Sequence, residues 1–408
     1  MNSIAAKRPL KILMLLNRVP YPLNDGGAIG TYNFIKGYAE EGCELFMLFM
    51  NTGKHFVEEE KIGDLFSLYG KYATVFIDNK IKVLDALSNL FSADSYVISR
   101  FVSQTYRDHL KIVLEKKEFD IVHLDGLPVV PYLELIRKYS KSKIVIRAHN
   151  VEHVIWERVA ENEKNLLKAW YLKTQALRLR KFEQTALNSV DLVLAISKED
   201  EAIIRSLNIN ASVTIVPAGI DVPEDIPAKS EAHDLFFIGA FDWQPNLQGI
   251  EWFIDTIWNA IKEGFPALKF VIAGKKMPHS INKHNDGGII AIGEVADAKE
   301  FILKHGIMIV PVISGSGVRI KIIEAMALGK TIIATSIAVE GLGVTNNENI
   351  LIADTSEDFV SQIDKCLNDG GYKERIGENA HKFALENFQN RKIFEKLIGK
   401  YEQIISCR

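Results

Sequence analysis

Cysteine is scarce. Only Cys43, Cys366 and Cys407 occur in 408 residues, too few and too scattered for a disulfide framework or a zinc cluster, so the chain reads as a protein of a reducing compartment. Long apolar runs are missing too. The first, Ile12–Leu16, follows Lys7, Arg8 and Lys11 and is closed by Asn17 and Arg18. It is far too short for an export-signal core or a membrane span, and a buried strand explains it better. No charge of one sign dominates: the net is −3, which argues against a dedicated nucleic-acid binder. His109, His123 and His284 have no partners at metal-ligand spacing and no acid-rich cluster occurs, so no metal site is expected. Neither half carries a G-x-G-x-x-G turn with an acid about 20 residues on, which disfavours a dinucleotide-dependent dehydrogenase. These absences describe a cytoplasmic protein that does not cross a membrane. Peripheral contact at the inner membrane face stays open.

What is present is a folded α/β pattern. Apolar residues make up 47% of the chain and charged residues 25%, which rules out wholesale disorder, and the length calls for two cores. Short apolar runs recur at Ile12–Leu16, Leu45–Met50, Ala73–Ile77, Ile121–Leu124, Ile144–Ile146, Leu192–Ile196 and Val213–Val216. A second series follows at Leu235–Ile238, Phe270–Ala273, Ile289–Ile292, Ile307–Val312, Thr331–Ala334 and Ile350–Ala353. Most lack strict alternation, as strands covered on both faces do, and helical stretches separate them. Two doubly wound parallel sheets are predicted. The seam falls at Val222–His233, rich in Pro and charge. Residues 1–222 form one domain and 223–390 the other, with a helix from Arg391 returning to the first. Two such domains facing each other imply a ligand cleft lined by strand ends.

The richest constellation follows Ile307–Val312 and reads Ser314-Gly-Ser-Gly-Val-Arg-Ile-Lys-Ile-Ile-Glu324. Gly315 and Gly317 make a turn that opens a helix, and Arg319 and Lys321 sit in its first turns. Backbone donors, a helix N-terminus and two cations at one strand end make a cradle for a diphosphate. Glu324 is placed to accept from both hydroxyls of a ribose diol. Gly26 and Gly27 follow the first strand in the same way, ahead of a helix predicted from Ala28. Alone, that pair reads equally well as a tight turn. His149 and Asn150 end the strand Ile144–Ile146, where open α/β sheets bind ligands, with Arg147, Glu152 and His153 as competing side chains. Between Lys164 and Lys181 stand Lys168, Lys173, Arg178 and Arg180 and no acid. A helical wheel puts Lys164, Lys168 and Arg178 opposite Leu166, Trp170 and Leu177, and the basic side reads first as a solvated helix face.

Taken in order, these motifs resemble the nucleotide-sugar-dependent glycosyltransferases of retaining family 4, with the GT-B fold of two Rossmann-like domains across a cleft. The markers are Pro20-Tyr-Pro with Asp25-Gly-Gly27, Arg147-Ala-His-Asn-Val-Glu152, Ala195-Ile-Ser-Lys-Glu-Asp200 and Val216-Pro-Ala-Gly-Ile-Asp221. In the second half come Phe237-Ile-Gly-Ala-Phe-Asp-Trp-Gln-Pro-Asn246, Ala273-Gly274, Gly293-Glu-Val295, Gly315-Ser-Gly-Val-Arg-Ile-Lys321 and Glu324-Ala-Met-Ala-Leu-Gly329. The resemblance implies that Gly293, Glu294 and Val295 hold the base, and Glu324 the ribose. It gives the diphosphate to Gly27, with Gly26 beside it, and to Gly315, Ser316, Gly317 and Val318. His149 would meet the donor sugar, and the first domain, including Asp125 and Asn150, the acceptor. It further implies retention of configuration with no divalent metal. The donor would be a UDP-, GDP- or ADP-sugar, and the acceptor a saccharide or lipid-linked sugar of cell-surface polysaccharide synthesis.

Two departures accompany the resemblance. The family commonly has a second Glu eight residues before Glu324, where this chain has Ser316. Many members also carry an Arg and a Lys after the Gly239-type turn, where this chain has Ala240-Phe-Asp-Trp243. Arg319 and Lys321 are expected to take over that positive charge, which makes them, with His149, the candidate catalytic groups. Two alternatives follow: a nucleotide-sugar epimerase of the same build, and a nucleotide-sugar-binding protein without catalysis.

Overall fold

A computed structural model describes residues 8–23, 25–80, 89, 94–227, 232–282, 287–315 and 317–406; Ser316 and residues 228–231 of the expected seam lie outside them. All the apolar runs named above become strands, and all pair in parallel. The first series gives β1 (Lys11–Leu16), β2 (Glu44–Thr52), β3 (Gly70–Ile77), β4 (Ile121–Asp125), β5 (Lys143–Ala148), β6 (Leu192–Ala195) and β7 (Ser212–Ile215). They form a seven-stranded sheet in the order β3-β2-β1-β4-β5-β6-β7. The second series gives β8 (Leu235–Ile238), β9 (Phe270–Ala273), β10 (Ile289–Gly293), β11 (Ile307–Val310), β12 (Ile332–Ala334) and β13 (Leu351–Ile352), in the order β10-β9-β8-β11-β12-β13. Strands buried on both faces explain the uninterrupted runs: Ile12 to Leu16 are wholly buried, as are Ile307 to Val310 nearly throughout. β11 ends two residues before the expected Val312 because Pro311 has no N–H to give the ladder.

Each sheet grows outward in both directions from a central pair, β1 and β4 in one, β8 and β11 in the other. Crossovers leave these pairs toward opposite edges, so the loops at their carboxyl ends splay apart and open a crevice. That positions the loops after β1, β4 and β5, and after β8 and β11, as ligand-facing segments.

The described residues divide into two compact units, one within 1–23, 27–217 and 391–408, the other within 24–26 and 218–390. The chain passes into the second unit at Ala218, ahead of the boundary expected after Val222. The reason is local: Ile220 N donates to Phe388 O at 2.9 Å and Asn390 N to Ile220 O at 2.9 Å, which ties this segment to the second unit's last helix.

The helix Asn390–Ser406 completes the first unit's core. Phe394, Leu397 and Tyr401 point inward at helical spacing and meet Phe34 and Tyr38 of the helix Gly26–Glu40, with Phe34–Phe394 and Tyr38–Phe394 ring centroids each 5.0 Å apart. Gly37 makes that approach possible, because a Cβ there would lie 2.3 Å from Phe394 Cδ2. Gly37→Ala is therefore expected to destabilise the first unit by about 1–3 kcal/mol through overpacking. Urea unfolding should show an earlier midpoint at unchanged slope, and an unshifted midpoint would contradict the packing.

Candidate functional site

In the second unit the chemistry gathers at the β8–β11 pair. Gly315 and Gly317 adopt φ of +98° and +90°, in the left-handed region that other residues avoid. They turn the chain after Pro311 into the helix Ile320–Ala327. Arg319 stands at that helix's N-cap, buried, donating to Gly317 O and stacked 5.6 Å from the Trp243 ring centroid. Lys321 reaches across to the end of β8. Its Nζ donates to Asn246 Oδ1 at 2.8 Å, sits 4.1 Å from the Phe237 ring centroid, and would be 3.0 Å from a Cβ built on Gly239. Two cations therefore meet where the turn after β8 passes the loop after β11. The Ala240–Trp243 turn supplies no basic side chain; the neighbouring loop fills the same place from the other side.

Burial, and then the charge of Arg319, push the Lys321 ammonium down to about 7. Burial pushes the Glu324 carboxyl, on the same helix face, up to about 7. An anion placed beside Lys321 would favour its charged form. Asn246 is the residue that sequence reasoning missed as part of the site. It is buried at the start of the helix Gln244–Phe253, donates through Nδ2 to Ala240 O at 2.8 Å, and so presents Oδ1 to Lys321. Its place in Trp243-Gln-Pro-Asn246 marks the first turn of a helix with Pro245 near its start, but nothing local ties it to Lys321. Gly293, with φ +76°, ends β10; Glu294 beyond it is exposed and Val295 half-buried.

In the first unit a second polar cluster lies at the ends of β4 and β5. Asp125, the last residue of β4, is wholly buried. Its Oδ1 lies 3.3 Å from Arg147 Nη1 and 3.0 Å from His149 Nε2, and Thr31 Oγ1 donates to Oδ2 at 2.9 Å. Burial alone would raise this carboxyl, but His149, His123 and Arg147 hold it well below the usual carboxylate range. Expected at the acceptor, Asp125 is found with no exposed surface and its carboxylate engaged by Arg147, His149 and Thr31, a placement that orients these neighbours. Behind it, His123 Nδ1 and the Tyr38 hydroxyl are 2.9 Å apart, and Tyr38 and Tyr401 share a hydrogen bond of 2.6 Å.

The competitors of His149 are thereby sorted. Arg147 is buried against Asp125 and lies 4.0 Å from the Phe34 ring centroid. His153 pairs with Glu183 at 2.6 Å, and Glu183 also accepts from the backbone N–H groups of Glu152 and His153. Both are structural, whereas His149 and Asn150 retain partial exposure at the carboxyl end of β5. Gly26 and Gly27 form the first turn of the helix Gly26–Glu40 and are exposed. The helix thus begins two residues before the expected Ala28, with Asp25 just ahead of it, where a short acidic side chain is favoured.

Comparison with known proteins places these clusters in context. Residues 24–224 match the family model Glycosyltransferase Family 4, and residues 232–369 match Glycosyl transferases group 1. Both units carry glycosyltransferase family domains. The chain is 25% identical, over 95% of its length and 98% of the relative's, to an uncharacterized 44.6 kDa protein in the cps region of Klebsiella pneumoniae. Among solved structures, sucrose-phosphate synthase from Thermosynechococcus elongatus superposes with a TM-score of 0.70 at 14% identity, covering 98% of this chain and 100% of that one. HepE of Anabaena in complex with UDP gives a TM-score of 0.66 at 13% identity, over 97% and 100%. At such identities the likeness shows the fold, and the fold of these glycosyltransferase domains is GT-B, two Rossmann-like units each on a parallel sheet.

Proposed function

We propose that this chain is a retaining, metal-independent glycosyltransferase that moves a sugar from a UDP-, GDP- or ADP-sugar to a saccharide or lipid-linked acceptor in cell-surface polysaccharide synthesis. The observation that carries the reading is the convergence of Arg319 and Lys321 at the β8–β11 crevice, held by Trp243 and Asn246, with Glu324 one turn on. A departing nucleoside diphosphate is stabilised most by preorganised positive charge that need not rearrange as charge develops. Buried guanidinium and ammonium groups fixed by other side chains meet that need. The cps-region relative and the UDP complex of HepE are compatible with the substrate classes.

In this reading the loop Gly315–Val318 and the first-turn glycines Gly26 and Gly27 offer backbone N–H groups to the diphosphate, Glu324 takes the ribose, and Gly293–Val295 take the base. His149, oriented by Asp125, meets the donor sugar. The acceptor hydroxyl attacks on the face the diphosphate leaves, and a phosphate oxygen receives its proton.

The ribose role gives a sharp test. Glu324→Ala is expected to weaken nucleoside diphosphate binding about tenfold or more, the range of one hydrogen bond to a charged group, while leaving inorganic diphosphate binding nearly unchanged. Equal losses for both ligands in calorimetry would remove Glu324 from the ribose. Product formed from donor with no acceptor present would instead indicate an epimerase. Tight nucleotide binding without turnover across a donor panel would indicate a binding protein, and activity lost to a chelator and restored by a divalent ion would overturn metal independence.

A further inference from the structure

The helix Leu166–Asn188 turns an unexpected side to solvent. Its inward residues are Leu172, Gln175, Ala176, Leu179, Glu183, Ala186 and Leu187. The opposite side carries Leu166, Trp170, Lys173, Leu177, Arg180 and Lys181, recurring at three- and four-residue steps and therefore aligned in one outward stripe. Leu166 is 85% exposed, Trp170 60% and Leu177 57%, with Leu167 at 81% on its flank. The wheel was right that these apolar groups oppose Lys164, Lys168 and Arg178, but neither side is a buried one at the helix start. Arg178 turns onto the body, donating to Asn89 O at 2.7 Å, and Lys168 pairs with Glu163 at 2.5 Å.

We infer that this stripe seats the protein on an anionic lipid bilayer. Three features select that occupant. Apolar tips alternate along the stripe with Lys173, Arg180 and Lys181, and no acidic residue lies between Lys164 and Lys181, so the face complements negative headgroups. Protein–protein contact surfaces are depleted in lysine at their centres, whereas this apolar row is interleaved with it. Long Lys and Arg stems can lie along the apolar surface with their heads in the headgroup layer, and a Trp ring suits that same level. Lying in the interface plane, the helix would bury Leu166, Trp170 and Leu177 at the acyl boundary. No helix among the described residues is long and apolar enough to cross a membrane. A single short stripe of this kind gives reversible, salt-sensitive attachment.

The inference is independent of the transferase reading, since its readout is binding. The full chain would be floated with phosphatidylcholine vesicles, with and without phosphatidylglycerol. Binding is expected only with phosphatidylglycerol, and to fall as salt rises. The triple variants K173E/R180E/K181E and L166S/W170S/L177S should each lower the partition coefficient about tenfold or more. Thermal unfolding should stay at the wild-type midpoint, because the altered side chains are exposed. In vesicles of brominated lipid, Trp fluorescence should be quenched in the wild type and far less in Trp170→Ser. The inference is overturned if wild type does not bind phosphatidylglycerol vesicles, or if both triple variants bind as it does. It is equally overturned if the apolar variant converts a wild-type dimer to monomer while vesicle binding is unaffected, which would assign the stripe to a second copy of the chain.

Discussion

Lys321→Ala is expected to lose about one to two orders of magnitude in affinity for nucleoside diphosphates, the value of one or two charge-assisted hydrogen bonds. The unliganded protein should tolerate the change, because Lys321 is held there against its preference. Burial and Arg319 lower its ammonium to about 7, so the folded state binds fewer protons than the unfolded state between about 7 and the ordinary lysine value near 10.4. Stability from this group rises with pH across that window, and removing the amine removes a cost that is largest below it. The liganded state reverses the sign. A diphosphate raises the Lys321 value, so above about 7 binding must take up a proton, and affinity should fall by up to about tenfold per pH unit until the value in the complex is reached. Calorimetry at pH 8 in buffers of different ionisation heat should record uptake approaching one proton for wild type and clearly less for Lys321→Ala. Equal uptake in both proteins would mean that another group titrates. Asn246→Ala should weaken binding less, since it frees the amine without removing it.

Asp125→Ala should be the most damaging change in the first unit. It strips the counter-ion from Arg147, which is buried, and leaves His149 without the carboxylate 3.0 Å from its Nε2. Breaking one side of a buried pair costs about 3–5 kcal/mol, a large part of the stability of an ordinary domain. Urea denaturation should show the loss in the first unit's transition. Asp125→Asn keeps the shape and one acceptor, so it should fold better and still be impaired in transfer, through kcat more than through KM for donor. Wild-type kcat in Asp125→Asn would deny Asp125 a positioning role, whatever the stability.

Much of this architecture could be read from sequence because parallel strands buried on both faces leave an unmistakable mark. Leu13, Val122 and Ile309 need no alternation, so their runs stand out, while strand ends were less legible: β11 stops before Pro311, and β13 keeps only Leu351 and Ile352 of the run Ile350–Ala353. The cation cluster was also legible, since Gly315, Arg319 and Lys321 lie within a few residues of each other. Asn246 was not: it meets Lys321 across a distance in sequence that no local pattern spans. Asp125 had the right address, at a strand's carboxyl end, but a strand end can point a side chain either at a ligand or into the body. Only the packing of Arg147, Thr31 and His149 around it decides that. The helix Leu166–Asn188 shows the same limit, because a wheel separates two faces without saying which one the protein covers.

The docking of the helix Asn390–Ser406 has a consequence for how the chain is made. Tyr38 and Phe34 wait for Tyr401 and Phe394 to close the core around them, so a ribosome must deliver residues beyond 400 before the unit begun by the first strand can finish folding. The second unit, nearly contiguous between 218 and 390, is complete earlier. The usual N-terminal-first order of domain folding during synthesis is inverted, and the growing chain must carry a first unit that lacks its closing helix while its neighbour matures.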